Sequence, residues 1–217
     1  MIRGFCFDMD GVLFDTERQG GVILQEAAKR QGAVLSDARW HSLLGVSMAH
    51  TRQALLEWFH GRVDPDRFLE DWRVITLAER RRHGMPLKPG AREVLDRLRQ
   101  RGMKLALCTS NAADVVAEYL RLAGWEGLFD QVVTGNMVTR CKPDPEIYLT
   151  GARLLGLTPA ECVGIEDSVN GVRSVRAAGM VSVMIPDVLP YTEELAPYVD
   201  LKLDNLRQLE AAILSKE

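Results

Sequence analysis

Asp8 and Asp10 stand two apart at the end of an apolar run, Ile2 to Phe7, and Gly11 follows them at once. A run that apolar predicts a strand buried on both faces, and in open α/β sheets ligands gather outside the carboxyl ends of such strands. No basic residue sits beside the two carboxylates in sequence, so they repel each other and need a cation. The economical chemistry is a Mg²⁺ site in which one carboxylate is free to attack an electrophile.

Three more groups fall where strands are expected to end. Thr109-Ser110-Asn111 follows Lys104–Cys108. Hydroxyl residues there can offer backbone N–H groups and a side-chain OH to an anion, although Ser and Asn are also ordinary helix N-caps. Lys142-Pro143-Asp144-Pro145 comes next, with Asp144 expected as an N-cap and Pro145 as the first helical residue. Its lysine either reaches the sheet edge or is a solvated surface residue. Glu166-Asp167-Ser168 follows a strand at Cys162–Ile165. The two acids are either the second half of a metal site or acids favoured by a helix dipole; Ser168 suits a cap, and Gly171 allows close approach of the next helix. Successive parallel strands bring all these ends to one edge. Nucleophile, divalent cation, hydroxyl and lysine are together the parts that phosphoryl transfer needs.

The elements that must position them alternate. Strands are expected at Ile2–Phe7, Met103–Thr109, Gln131–Thr134, Cys162–Ile165 and Val181–Ile185, with a short one at Asp200–Leu203. Helices are expected at Ala91–Arg101, Ala112–Ala123, Pro145–Leu155, Val169–Ala178 and Leu206–Leu214. That alternation predicts an α/β fold, a doubly wound parallel sheet. Residues 16–85 break it with helices at Glu17–Arg30, Asp37–Leu44, Ala49–Phe59 and Asp66–Arg82. The expected organisation is a catalytic core of residues 1–15 and 86–217 with an inserted α-helical cap of residues 16–85 acting as a lid over the acidic pair. Arg80-Arg81-Arg82-His83 is read as complementing a helix dipole.

Composition sets the outer limits. The chain has 217 residues, 47% hydrophobic and 26% charged, with net charge −3, so it lacks the basic excess that a nucleic-acid partner requires. Cys6, Cys108, Cys141 and Cys162 form no Cys-x-x-Cys pair, and Cys6 and Cys108 are expected as buried small hydrophobes. No run approaches the roughly 20 apolar residues of a membrane span, and no signal peptide is expected ahead of the first acid. The expected protein is a cytoplasmic monomer that binds a small phosphorylated metabolite, without membrane or nucleic acid.

Asp-x-Asp-Gly-Val-x-x-Asp-Thr, a strand ending in Thr-Ser-Asn, Lys-Pro-x-Pro and Glu-Asp-Ser-x-x-Gly resemble, in order, the four motifs of the haloacid dehalogenase superfamily. The resemblance is to the helical-cap subgroup that includes β-phosphoglucomutase and many sugar-phosphate phosphatases. It implies a Rossmann-like core and an aspartyl-phosphate intermediate on Asp8. It implies that Asp10 is the general acid and then the base. Thr109, Ser110 and Lys142 would bind the phosphoryl group. Mg²⁺ would be held by Asp8, the main-chain carbonyl of Asp10, and Asp167, with Glu166 nearby or bound through water.

The same resemblance bears on the choice between hydrolysis and mutase chemistry. Mutases of the subgroup carry a histidine where this chain has Gly20, and an arginine after a Gly-x-Ser turn where Gly45-Val46-Ser47 is followed by Met48. Both departures favour a Mg²⁺-dependent phosphatase acting on a small phosphate monoester, a sugar phosphate, over a phosphoglucomutase-type mutase. Glu17, Arg18, His50 and Arg52 are the candidate substrate contacts. A signalling receiver-like protein and a non-catalytic binding protein are the alternatives of another class. Receivers lack the insert, and every catalytic position here is filled.

Overall fold

Strand β1 (Gly4–Phe7) is the centre of the sheet because alternate side chains are apolar on both faces: Phe5 and Phe7 enter one core and Cys6 the other. The structure is a computed structural model that describes residues 1–214 except Gly45, Ser47 and the side chain of Arg18. Around β1 run β2 (Lys104–Cys108), β3 (Gln131–Val133), β4 (Cys162–Glu166), β5 (Val181–Met184) and β6 (Leu201–Lys202), all parallel, in the order β3-β2-β1-β4-β5-β6. The crossover helices are α5 (Ala91–Gln100), α6 (Ala113–Ala123), α7 (Glu146–Leu155), α8 (Val169–Ala177) and, at the end, α9 (Leu209–Leu214). This is the doubly wound, Rossmann-like sheet expected from the alternation.

Register decides where the chemistry lands. Phe7 is level with Leu107 of β2 and Ile165 of β4, so Asp8, Cys108 and Glu166 leave the sheet side by side. The strand order also reverses direction at β1, which opens a crevice at this edge. Cys6 and Cys108 are buried under α7, where a Cβ on Gly151 would lie 2.7 Å from Cys108 Sγ.

Beyond β1 the chain turns through Gly11 (φ +73°), and the paths out and back run side by side. Asp15 N donates to Pro86 O at 2.8 Å and Lys88 N donates to Leu13 O at 2.9 Å. Between them lie α1 (Glu17–Arg30), α2 (Asp37–His41), α3 (Met48–Phe59) and α4 (Pro65–His83). Their apolar faces form a core of their own, with Leu24, Leu55 and Phe68 fully buried. Asp64 caps α4 by accepting from the backbone of Asp66 and Arg67, at 2.9 and 3.2 Å, and Pro65 takes the first position.

Most expected boundaries shift by a residue or two, and three of the differences bear on the site or the chain end. Helix α2 stops at His41, and Leu43 and Leu44 fall in the turn that follows. Helix α7 begins at Glu146 with Pro145 at the N-cap, one residue later than predicted; Asp144 accepts from Glu146 N at 3.0 Å, so its capping role survives the shift. Residues Leu206–Gln208 form a 3₁₀ turn ahead of α9. No described helix is long and apolar enough to cross a membrane.

Candidate active site

Lys142 is the hub. Its Nζ donates to Asp8 Oδ1 at 2.5 Å, to Glu166 Oε1 at 2.6 Å and to the carbonyl of Cys108 at 3.2 Å. Residues from the ends of β1, β2 and β4 thus meet on one ammonium, and Lys142 is no surface lysine. Burial alone favours loss of its proton, but the two carboxylates outweigh that and push its pKa up.

Glu166 is held from all sides. Tyr148 donates its OH to Oε1 at 2.8 Å, while Ser168 Oγ reaches Oε2 at 3.1 Å. Ser168 also caps α8 by accepting from Gly171 N at 3.0 Å. A Cβ on Gly171 would fall 1.9 Å from the Glu166 carboxyl carbon, so only glycine lets α8 come this close. A Cβ on Gly11 would likewise lie 2.2 Å from Asp167 Oδ2. Oxygen atoms of Asp8, Glu166 and Asp167 lie within 4.8 Å of one another. Hard oxygen donors gathered this tightly fit a small divalent cation such as Mg²⁺. Glu166 already meets its own set of donors, so Asp8 and Asp167 offer the freer oxygens.

Asp10 is held by two groups. Thr16 Oγ1 donates to Oδ1 at 2.5 Å, and Asn111 Nδ2 donates to Oδ2 at 2.5 Å. Asn111 is fixed in turn by Thr109 Oγ1, which accepts from its backbone N at 3.2 Å and its side chain at 3.1 Å. Burial pushes the Asp10 pKa up against the pull of those hydrogen bonds. Burial, with neighbouring Glu17 and Glu166, pushes Asp167 well up. Glu17 is pushed to about 7, chiefly by burial and then by Asp10, Asp187 and Glu166.

Asp8, Asp10, Glu17, Thr109, Ser110, Lys142 and Asp167 all line one cavity of about 510 Å³ roofed by the cap. His50 and Arg52 do not line it. His50 is exposed on α3, and Arg52 is exposed and held by two bonds, at 2.9 and 3.0 Å, to Asp66, which is on the cavity lining. The Arg18 side chain and residues Gly45 and Ser47 of the Gly-x-Ser turn lie outside the described residues; Met48 is on the cavity wall.

Sequence reasoning missed Asn111 as a partner of Asp10, although the residue stood in a quoted motif. It also missed Arg80. The basic run on α4 reads as a dipole complement, yet Arg80 is only 2% exposed, lines the cavity and donates to Gln19 Oε1. Its burial on one face of α4 is the missing signal, and composition does not carry it.

A model of haloacid dehalogenase-like hydrolases matches residues 2–179. The chain belongs to that family. It is 32% identical to hexitol phosphatase A of Escherichia coli, over 95% of this chain and 93% of that protein. It is 33% identical to a phosphorylated carbohydrates phosphatase of Thermotoga maritima, over 82% of each. The structure of CbbY from Rhodobacter sphaeroides in complex with phosphate superposes with a TM-score of 0.83 over 96% of each chain, at 24% identity, and shares the fold.

Proposed function

We propose that this hydrolase is a Mg²⁺-dependent phosphatase that cleaves a small phosphate monoester through an aspartyl-phosphate on Asp8. The observation that carries the reading is the Lys142 ammonium seated between Asp8 and Glu166 beside Asp167. Such a site holds a nucleophilic carboxylate, a fixed cation for phosphoryl oxygens and oxygen donors for a metal. The relatives' names favour a sugar phosphate as substrate.

In the first step an Asp8 oxygen attacks phosphorus and the phosphorus–ester oxygen bond breaks. Asp10 gives its proton to the departing oxygen, which its raised pKa favours. Thr109 and Lys142, with backbone N–H groups of the 109–111 turn, hold the transferring oxygens. In the second step water attacks phosphorus, Asp10 takes the water's proton, and the bond to Asp8 breaks to release inorganic phosphate. Mg²⁺ would be held by Asp8, Asp167 and the carbonyl of Asp10, with Glu166 orienting Lys142 beside them; when bound it neutralises charge on the phosphoryl group. We take residues 16–85 as the cap domain and the paired segments near Asp15 and Pro86 as its hinge. Closing it would exclude bulk water.

The test is phosphate release from a panel of phosphorylated metabolites with Mg²⁺ and with EDTA. The reading expects turnover of several sugar phosphates, lost in EDTA, without interconversion of isomers. Turnover that survives EDTA unchanged would contradict it.

A further inference from the structure

Two side chains of α4 hold polar atoms that nothing in the protein satisfies. Thr76 Oγ1 and Arg80 Nε are shut away from water and have no hydrogen-bond partner. Among the described residues that line the cavity, only these two carry such an atom. Native folds rarely leave a buried donor unmet, because the group has lost its water and gained nothing in return. Four residues apart on one helix, the two side chains lie one above the other on the same face. A single ligand that runs along this face meets both.

Arg80 is fixed close to the chemistry. Its guanidinium donates to Gln19 Oε1 and shares a hydrogen bond with the phenol of Tyr119. These partners are neutral, so neither of them cancels its charge. Burial raises the pKa of Asp10, and the Arg80 charge is among the groups that pull it back, so the guanidinium stands within electrostatic reach of the proposed general acid. The leaving oxygen must sit at Asp10, which brings the carbons attached to it past Arg80. Carboxylates of Glu17, Glu70 and Asp114 line the same cavity. The wall therefore offers donors on α4 and acceptors around them. A hydroxyl both donates and accepts, so it can use both kinds. A carboxylate only accepts and meets the acids as a like charge. An alkyl chain uses neither kind and leaves the two atoms of α4 unmet.

We propose that Thr76 and Arg80 are specificity-determining residues that take hydroxyl groups of the departing alcohol as the cap closes, and so select neutral polyhydroxy alcohols over alkyl and carboxylate-bearing ones. This rests on the phosphatase reading above and names the side chains that make its choice of leaving group. The two atoms, closed to water in this structure, receive their partners from the substrate.

Three primary esters of equal chain length test it: sorbitol 6-phosphate, 6-phosphogluconate and hexyl phosphate. The proposal expects kcat/KM for sorbitol 6-phosphate to exceed that for each of the others by about 10²-fold or more, because a site built to bond hydroxyls rejects analogues that lack them. Thr76→Val removes one hydroxyl at nearly constant shape. It should cut the sorbitol-to-hexyl ratio of kcat/KM by about tenfold, the worth of one hydrogen bond. It should not lower Tm, because that hydroxyl bonds nothing within the protein; a merely structural threonine would lower Tm and leave the ratio alone. Arg80→Lys keeps the charge but loses the Nε–H donor, and should cut the same ratio by about tenfold or more. Circular dichroism checks the fold, and Thr76→Val decides alone if Arg80→Lys does not fold. The proposal is overturned if 6-phosphogluconate or hexyl phosphate matches sorbitol 6-phosphate, or if Thr76→Val leaves the ratio where it was or lowers Tm. Failure of the phosphatase reading looks different: wild-type protein with Mg²⁺ would then release phosphate from none of the three.

Discussion

The two walls of the cavity are held together by different physics. At the sheet edge the side chains are charged, buried and tied to one another: Lys142 bonds two carboxylates, Glu166 accepts from Tyr148 and Ser168, and Asp10 is fixed by Thr16 and Asn111. On the cap side, close packing places Trp40 and the leucines, and the charges are half-exposed ion pairs, Arg52 with Asp66 and Arg73 with Glu70, of which Asp66, Glu70 and Arg73 reach the cavity. A hydrogen-bonded edge fixes atoms to within tenths of an ångström, which covalent chemistry needs. A wall of apolar packing with a few polar atoms set in it fixes shape and single contacts, which suits a choice among leaving groups. In the proposed reading the reaction belongs to the first region and the choice of leaving group to the second.

The sharpest way to break this division is to remove the hub. Lys142→Ala leaves Asp8 and Glu166 buried without their cation, and loss of one partner of a buried pair costs about 3–5 kcal/mol. Unfolding in urea should register that loss, and phosphate release should fall by at least about 10³-fold. A variant that stays near wild-type stability would show that the edge is not held by its ion pairs. Gly171→Ala should act next, because a methyl group there collides with Glu166. Overpacking of this kind costs about 1–3 kcal/mol, and kcat should drop with it although no reacting group has changed.

A pH series sharpens the contrast further. Glu17 has an ordinary value of 4.5 and is raised to about 7 in the fold, and Asp10 and Asp167 are raised as well. The folded protein then binds more protons than the unfolded chain across that window. In EDTA, Tm should fall as pH rises from about 4.5 to about 7. Mg²⁺ should raise Tm more at pH 8 than at pH 5, since it binds the deprotonated carboxylates. A flat profile in EDTA, or a full slope retained in Glu17→Gln, would count against it. The smallest effect is expected at the cap surface: Arg52→Ala breaks only an exposed pair, so Tm and kcat/KM should both stay near wild type. A large loss of activity there would move substrate contacts to a side chain that does not line the cavity.

The sheet edge was legible because strand ends carry their residues in chain order, and parallel register then delivers them to one line. Asp8, Thr109, Glu166 and Asp167 needed only that rule; Lys142 lies well past the end of β3, and its place rests on its bonds to Asp8 and Glu166. The capping residues Ser168 and Asp144 were legible for the same reason, although Pro145 moved the start of α7 by one residue. The cap was not legible at side-chain level. Each residue turns a helix by about 100°, so a small error in register moves a side chain from cavity to solvent. The early stop of α2 at His41 delivered Leu43 and Leu44 to the cavity wall, and the burial of Arg80 depends on which face of α4 meets the core. The fit of Trp40 on Gly20 and Gly21 of α1 is a contact between distant segments that no local pattern encodes.

The central claim is that Asp8 carries the phosphoryl group. A rapid acid quench of protein mixed with ³²P-labelled substrate, followed by peptide mapping, tests it directly. The account predicts a hydroxylamine-sensitive label on the peptide that contains Asp8, absent from Asp8→Asn, which should also lose turnover by at least about 10³-fold. Label on another peptide, or substantial turnover by Asp8→Asn, would contradict it.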